Sequence, residues 1–134
     1  IDADVLTTVS GGGGIPVIEN ADGTYTGVEA VIDKDFSAAK LAELVEADEL
    51  IILTAVDNVY INFNKPDQKK LERITMSEIQ EYVDQGHFAA GSMGPKVQAA
   101  MAFVERTGRP AIITSLDNLP DFLANGTGTI IVAD

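Results

Sequence analysis

The chain has 134 residues, of which 46% are hydrophobic and none is cysteine, and its formal net charge is −12. This composition fits one compact domain with a buried core, whereas the negative charge would repel a nucleic acid backbone or an anionic lipid surface. The lack of cysteine excludes disulfides and a thiolate nucleophile, and no apolar run approaches the roughly 20 residues of a membrane-spanning helix. Because the chain starts with Ile rather than Met and has no leader-like segment, we expect a cut end.

The first residues predict a strand, a glycine loop and a hairpin. Val5 to Val9 is a β-branched apolar run typical of a buried strand, and it stops before the four glycines Gly11 to Gly14. Ile15 to Glu19 and Tyr25 to Gly27 flank an Asp22-Gly23 pair, which is a strong hairpin signal. We therefore expect a small β-hairpin after the glycine loop.

A helix and a buried strand follow the hairpin. Apolar residues recur at helical spacing from Asp35 to Glu46, and Asp33 or Asp35 can cap the start of this helix. Leu50 to Leu53 is a continuous apolar run, as expected for a central parallel strand that is covered on both faces. Val59 to Phe63 extends briefly before the turn residues Asn64 to Asp67, and the polar segment after this turn is predicted to be exposed.

The second half of the chain continues the alternation of helices and strands. Thr75 and Glu78 have the pattern of a capping box and predict a helix that ends near Gln85. Pro95 is typical of the first position of a helix, which we expect to end near Gly108. A buried strand, a short helix and a final strand follow over Ala111 to Thr114, Leu116 to Leu123 and Thr129 to Val132. The sequence therefore predicts an α/β fold, a three-layer sandwich with a mainly parallel central sheet.

In open α/β sheets, ligands bind beyond the carboxyl ends of the strands. Four segments have this position: Ser10 to Gly14, Asp33 to Asp35, Thr54 to Tyr60, and Gly91 to Lys96. The glycine loop would let backbone N–H groups approach an anion, although a flexible turn would have the same composition. It has neither the Lys-Ser or Lys-Thr of a P-loop nor the spacing of a dinucleotide-binding motif.

Two lysines occupy positions that suit a phosphate group. Lys34 lies between Asp33 and Asp35 at a helix start, where a lysine can neutralise phosphate charge while a carboxylate orients it. A solvated and capped helix start is the alternative interpretation. Lys96 follows a glycine-bearing loop at a helix N-terminus, which favours an anion, although the same pattern occurs in an ordinary loop before a proline.

Other side chains carry weaker signals. Tyr60 could face a base or a ribose, but a single tyrosine is more often half-buried packing. His87 is the only histidine, and we expect it to be exposed or loosely packed rather than catalytic. The acidic residues are not spaced as in a calcium loop, so we predict no metal site built from protein side chains.

Four stretches together resemble the carbamate kinases of the amino acid kinase superfamily. They are SGGGGIPVI (Ser10 to Ile18), GVEAVIDKDF (Gly27 to Phe36), LTAVDNVYINF (Leu53 to Phe63) and FAAGSMGPKV (Phe88 to Val97). The resemblance continues through AIITSL (Ala111 to Leu116), and VIDKDF and GSMGPK are its most specific pieces. It implies that residues 1–134 form the single C-terminal, nucleotide-binding domain of a longer kinase of amino-acid-kinase type, without the N-terminal half for substrate binding and dimerisation.

The resemblance also implies an activity, the reversible transfer of a phosphoryl group between carbamoyl phosphate and ADP, giving ATP and carbamate, with Mg²⁺. Lys34 and Lys96 would contact the transferred phosphate, and Asp35 would orient the lysines. The carbamate side would be lined by Gly11, Gly12, Gly13 and Gly14. The nucleotide would be framed by Thr54, Ala55, Val56, Asp57, Tyr60, Met93, Gly94 and Pro95.

Further implications of the resemblance are a cytoplasmic protein of arginine metabolism that is a homodimer at full length and binds neither nucleic acid nor membrane. Residues 1–134 alone are expected to keep a nucleotide-facing surface but not to catalyse the reaction. Another amino acid kinase and a non-catalytic nucleotide-binding regulatory module are the alternatives.

Overall fold

The computed structural model describes residues 5–9 and 14–134, which contain four helices and eight strands. In chain order these elements are β1 (Val17–Glu19), β2 (Tyr25–Gly27), α1 (Lys34–Leu44), β3 (Leu50–Thr54), β4 (Tyr60–Ile61), β5 (Lys69–Lys70), β6 (Arg73–Thr75), α2 (Met76–Asp84), α3 (Met93–Thr107), β7 (Ala111–Ser115), α4 (Leu119–Asn125) and β8 (Thr129–Val132). The predicted hairpin, the helices and the apolar strands after residue 14 are present, with shifts of a few residues at their ends.

A four-stranded sheet with the order β3-β7-β8-β6 lies at the centre of the fold. β3 is parallel to β7 and β6 is parallel to β8, whereas β7 and β8 are antiparallel. The mainly parallel central sheet of the predicted α/β class is therefore confirmed. In the described residues β3 is at one end of the sheet rather than in its middle. Two separate hairpins, β1-β2 and β4-β5, lie outside this sheet.

One face of the sheet packs against α1 and α3. Alternate residues of a strand point to the same face, so Leu50 and Ile52 face the core together with Ala111 and Ile113. Helix α3 places Phe103, which is 1% exposed, in the same core. The small residues of α1 that face this core, Ala39 and Ala42, are also buried. These contacts hold the starts of the two helices in a fixed position relative to the carboxyl end of β3.

The opposite face of the sheet is less covered. Ile112 is 1% exposed and lines a shallow pocket together with Phe122 of α4, so this short helix represents the third layer. Leu53, one residue from the end of β3, is 40% exposed. The predicted coverage of both faces of this strand is therefore incomplete within the described residues.

Three local expectations differ from the structure. Val5 to Val9 is exposed and is not a strand, because no strand among residues 14–134 pairs with it. Helix α3 begins at Met93, two residues before Pro95, which is tolerated because the first N–H groups of a helix need no intrahelical partner. The segment after the Asn64 to Asp67 turn contains two short strands and the buried side chain of Leu71.

The helix ends follow from local chemistry. The Asp33 side chain accepts from the N–H of Asp35 at 2.8 Å and caps α1. Thr75 and Glu78 form the predicted capping box at the start of α2. Helix α3 ends at Gly108, whose φ of 69° lies in the left-handed region that favours glycine. No helix in the described part of the chain has both the length and the apolar composition that crossing a membrane requires.

Candidate functional site

A pocket of about 250 Å³ lies where β3 ends and α3 begins. Thr54, the last residue of β3, and Met93, the first residue of α3, are both in its wall. The complete lining consists of Thr54, Ala55, Val56, Tyr60, Phe63, His87, Phe88, Ala89, Ser92, Met93 and Lys96. The pocket is therefore beyond the carboxyl end of a parallel strand, at the position that ligands of open α/β sheets occupy.

Aromatic side chains form much of the pocket wall. The rings of Tyr60 and Phe63 are tilted by 43° with their centroids 5.9 Å apart. His87 packs edge-on against Tyr82 at 5.6 Å and 79°, and one of its ring nitrogens is 3.1 Å from the Gln85 side-chain oxygen. A wall of this kind can hold a planar group such as a nucleobase by stacking and by excluding water.

Lys96 gives the pocket a positive charge. Its Nζ donates to Oδ2 of Asp35 at 2.9 Å, and the two side chains are 24% and 21% exposed. Lys96 lies in the first turn of α3, where the positive end of the helix dipole also favours an anion. Pro95 in this turn has no N–H, and the Gly94 N–H already donates to the Ala89 carbonyl oxygen at 2.9 Å. Ser92, the residue that precedes the helix, makes no capping hydrogen bond with its side chain. The start of α3 therefore suits the phosphate end of a ligand whose planar part lies against the aromatic wall.

Lys34 is the neighbour of Asp35 at the start of α1. Its Nζ donates to the carbonyl oxygen of Ile32 at 3.2 Å, and its side chain is exposed. Lys34 does not line the pocket. Asp35 thus links the two predicted lysines, because it follows one in the chain and forms an ion pair with the other.

The structure gathers only part of the predicted set at the pocket. Among the predicted nucleotide contacts, the pocket lining includes Thr54, Ala55, Val56, Tyr60 and Met93. Gly94 and Pro95 instead line a different pocket of about 190 Å³ beside Val83 and Gln98. Gly94 is buried there, and a Cβ at this position would be 3.0 Å from the carbonyl oxygen of Ala89. Of the predicted glycine loop, Gly14 is exposed, and Gly11, Gly12 and Gly13 lie outside the described residues.

Asp57 does not line the pocket either. Its Oδ1 accepts a hydrogen bond of 2.6 Å from the hydroxyl of Ser115, the last residue of β7. The backbone N–H of Asn118 donates to the same hydroxyl at 2.9 Å. Asp57 therefore joins the loop after β3 to the end of the neighbouring strand.

Several pocket residues were not predicted from the sequence. They are Phe63, His87, Phe88 and Ala89, whereas Ser92 lies in the predicted Gly91 to Lys96 segment. His87, which we expected to be exposed or loosely packed, is half-buried, and its ring packs edge-on against Tyr82. A signal was available, since His87 directly precedes the FAAGSMGPKV stretch and Phe88 begins it.

Metal ligands are sparse in this part of the chain. Within residues 5–9 and 14–134, no group of three His, Cys, Asp or Glu side chains could hold a metal ion. Asp35, whose carboxylate contacts the pocket residue Lys96, is already paired with it. A metal at this site would need most of its ligands from a bound molecule or from water.

Comparison with known proteins shows a likeness that extends over nearly the whole chain. The sequence pattern of the amino acid kinase family matches residues 1–115. Carbamate kinase 2 of Enterococcus faecalis is 61% identical over 132 residues, and the carbamate kinase of Thermococcus kodakarensis is 49% identical over 134 residues. These alignments cover 98% and 100% of this chain but 42% of each relative, so the chain spans less than half of their length.

Solved structures show the same likeness in three dimensions. The carbamate kinase of Giardia lamblia bound to AMP-PNP is similar with a TM-score of 0.83 and 50% sequence identity. This similarity covers 91% of the present chain and 42% of the Giardia chain. The fold and the sequence therefore point to the same group of proteins.

Proposed function

Because the chain belongs to the amino acid kinase family, we propose that it is the C-terminal, nucleotide-binding domain of a longer carbamate kinase. The enzyme would transfer a phosphoryl group reversibly between carbamoyl phosphate and ADP, giving ATP and carbamate. The observation that carries this proposal is the half-buried Lys96–Asp35 pair in the wall of an aromatic pocket beyond β3. The identity to curated carbamate kinases supports the choice of substrate.

The pocket suggests how an adenine nucleotide would bind. The base would lie against the aromatic wall of Tyr60 and Phe63, next to Met93. Its phosphates would extend toward Lys96 and the N-terminal end of α3. This orientation follows from the separation of apolar and positively charged groups within the same pocket.

The reaction makes modest demands on the protein. A terminal oxygen of ADP attacks the phosphorus of carbamoyl phosphate, and the bond between that phosphorus and the carbamoyl oxygen breaks. Carbamate leaves as an anion and no proton has to be moved, so the site needs no general base. Catalysis then consists of holding the two anions in line and neutralising their charge, which are tasks for Lys34 and Lys96. Asp35 would restrict where the Lys96 ammonium group lies.

Mg²⁺ is proposed as part of the nucleotide substrate. Mg²⁺ in phosphoryl-transfer sites is commonly held by substrate phosphates, water and one or two carboxylates. That mode agrees with a described site in which three potential metal ligands do not come together. The ion would supply charge neutralisation on the phosphates, in addition to that of the lysines.

The remaining proposals concern the whole protein. The other part of the kinase would complete the site for carbamate and would include the dimer contacts, in agreement with the 42% of each relative that this chain spans. The resemblance to carbamate kinases is also the basis for proposing a cytoplasmic homodimer in arginine metabolism. Normal turnover by residues 1–134 alone would contradict the proposal that another part of the protein is required.

A direct assay tests the activity. The full-length protein should form ATP from ADP and carbamoyl phosphate, and it should not use ATP to phosphorylate aspartate, acetylglutamate or uridylate. Lys34→Ala should reduce kcat/KM by about 10²-fold, because a positioned cation is lost. Lys40→Ala in the same helix is the matched control and should keep normal activity, since Lys40 pairs with Glu43 away from the pocket. Phosphorylation of another acceptor in place of carbamate would reassign the substrate, and ADP binding without any turnover would favour a regulatory module.

A further inference from the structure

We name the loop between β3 and β4, Ala55 to Val59, the nucleotide loop. Two hydroxyl groups of the sheet, those of Ser115 and Thr129, hold this loop, and the buried Asn58 side chain within it also donates to the Leu71 carbonyl oxygen at 3.0 Å. Ala55 and Val56 at its start line the proposed nucleotide pocket, and Tyr60 directly after it does so too. Asp57 and the residues that follow it turn toward the neighbouring strands instead. The position of the pocket wall therefore depends on contacts behind the loop.

The first point of attachment is the side chain of Ser115. Its hydroxyl donates to Oδ1 of Asp57 at 2.6 Å and accepts from the N–H of Asn118 at 2.9 Å. Ser115 is 6% exposed, whereas Asp57 is exposed. The Asn118 side chain donates in turn to the hydroxyls of Thr114 and Thr127, at 2.9 Å and 3.0 Å. The hydrogen bond from Asn118 thus orients the Ser115 hydroxyl so that it donates to the Asp57 carboxylate on the loop.

The second point of attachment is the hydroxyl of Thr129 in β8. It accepts from the backbone N–H of Val59 at 2.8 Å and donates to the carbonyl oxygen of Leu71. Thr129 and Val59 are both fully buried, at 0% exposure. The far end of the nucleotide loop is therefore fixed in the core, which leaves Ala55 to Asp57 as the part whose position depends on Ser115.

We infer that Ser115 is a positioning residue for the nucleotide, acting through Asp57 to hold Ala55 and Val56 in the binding conformation. Ser115 does not line the pocket, so an effect on the nucleotide must pass through the loop. A loop that is already ordered loses less conformational entropy when a ligand binds, and this favours tight binding. The inference rests on the proposed function, because it requires that the pocket is the nucleotide site.

Replacing Ser115 should affect nucleotide binding more than the chemical step. Asp35 lies on α1 and Lys96 on α3. Their side chains bond to each other, and within residues 14–134 no hydrogen bond joins them to the nucleotide loop. In Ser115→Ala the loop would have to become ordered at each binding event, which should raise the KM for ADP about tenfold. The value of kcat and the KM for carbamoyl phosphate should stay within about twofold of wild type. Ser115→Thr keeps the hydroxyl and should restore most of the affinity for ADP.

A matched control exists at the other end of α3. The hydroxyl of Thr107 also donates one hydrogen bond and accepts one, to the Phe103 carbonyl at 2.7 Å and from the Arg109 N–H at 3.1 Å. Thr107 lies 14 residues after Met93, about 21 Å away along the helix. Thr107→Ala therefore removes an equivalent pair of hydrogen bonds far from the pocket and should leave the KM for ADP unchanged.

The decisive measurement is a double-mutant cycle on the full-length protein, with KM for ADP as the readout. If Ser115 acts through Asp57, adding Ser115→Ala to Asp57→Ala should cause no further increase in KM. Asp57→Ala alters an exposed residue and tests the same link if Ser115→Ala does not fold. Additive effects, or a Ser115→Ala protein that loses thermal stability with an unchanged KM for ADP, would overturn the inference. Wild-type protein that neither binds ADP nor forms ATP would refute the proposed function itself.

Discussion

Helices α1 and α3 lie side by side in the same direction, and one ion pair joins them at each end. At the pocket end Lys96 and Asp35 are 2.9 Å apart, with side chains that are 24% and 21% exposed. At the far end Arg106 and Glu43 are 3.0 Å apart, with side chains that are 56% and 28% exposed. The two pairs have nearly equal distances between nitrogen and oxygen, but the pair at the pocket end is less exposed to solvent.

The difference shows that the presence of an ion pair says little about its role. Solvent-exposed pairs contribute about 0 to 1 kcal/mol to stability, because water screens the attraction and the side chains lose entropy. At the pocket end there is less water, so the same attraction acts over a lower effective dielectric constant. The cation at that end also faces a cavity. We therefore propose a functional role for the ion pair at the pocket end and a minor stabilising role for the pair at the far end.

The largest effect is expected from the core between the two ends. Phe103 is 1% exposed and packs where α1 and α3 meet. Phe103→Ala should lower the free energy of unfolding by about 3 to 5 kcal/mol, since it removes a large side chain and leaves a cavity. Denaturant unfolding of the full-length protein would measure this loss. Phe36→Ala is the control, because Phe36 lines the same groove between α1 and α3 but is 40% exposed, and it should cost only about 1 to 2 kcal/mol. Equal losses for the two variants would contradict this description of the core.

The next largest effect compares the cations of the two pairs. Lys96→Ala should reduce kcat/KM by about 10² to 10³-fold, the usual consequence of removing a preorganised charge from a reaction site. Arg106→Ala should leave kcat/KM within about twofold of wild type, because Arg106 lies on the surface at the far end. Steady-state assays with carbamoyl phosphate and ADP provide the comparison. A similar loss in both variants would show that the ion pairs act through the stability of the helices and not through the pocket.

A smaller effect is expected from the carboxylates. Asp35→Asn keeps the size of the side chain but removes the charge that holds Lys96, so the ammonium group would be positioned less well. We expect kcat to decrease about tenfold, which corresponds to about 1.4 kcal/mol. Glu43→Gln is the equivalent change at the far end and should not alter kcat. If Asp35→Asn retained full activity, Asp35 would have no part in orienting Lys96.

The smallest effect concerns pH and the far end alone. Hydrogen bonds from Lys40 and, to a lesser extent, from Arg106 hold the pKa of Glu43 below its ordinary value of 4.5. A carboxyl whose pKa is lowered by folding stabilises the folded state above its unfolded pKa, and this contribution disappears as the pH falls through the folded pKa. The melting temperatures of wild type and Glu43→Gln should therefore differ slightly at about pH 6 and converge as the pH falls below 4.5. A difference that grows as the pH falls would contradict the assigned direction.

Much of the secondary structure could be predicted because its signals are local. The Asp22-Gly23 turn and the Thr75–Glu78 capping box involve neighbours in the chain, and both elements are present. Val5 to Val9 was predicted incorrectly, because the burial of a strand depends on a partner from elsewhere in the sequence. Leu71 shows the opposite case, since contacts with distant residues bury it within a polar stretch.

The same distinction applies to the candidate site. Lys96 and Asp35 lie in recognisable motifs, but their ion pair joins residues 61 positions apart and appears only in the folded chain. The contacts of Ser115 with Asp57 and of Thr129 with Val59 span 58 and 70 positions. Serine and threonine are common at such positions, so no composition or spacing could identify them. The motifs thus predicted part of the pocket wall, whereas the hydrogen bonds of Ser115 and Thr129 that hold the nucleotide loop could be identified only from the structure.

Strand β3 lies at one end of the four-stranded sheet, and this position affects how the purified chain should behave in solution. A strand with a free side offers a row of backbone donors and acceptors to any other extended segment. Charged residues and proline usually prevent an edge strand from pairing with a strand of another molecule. Leu50 to Leu53 contains neither. Because no described strand pairs with that side of β3, purified 134-residue material should self-associate as its concentration rises.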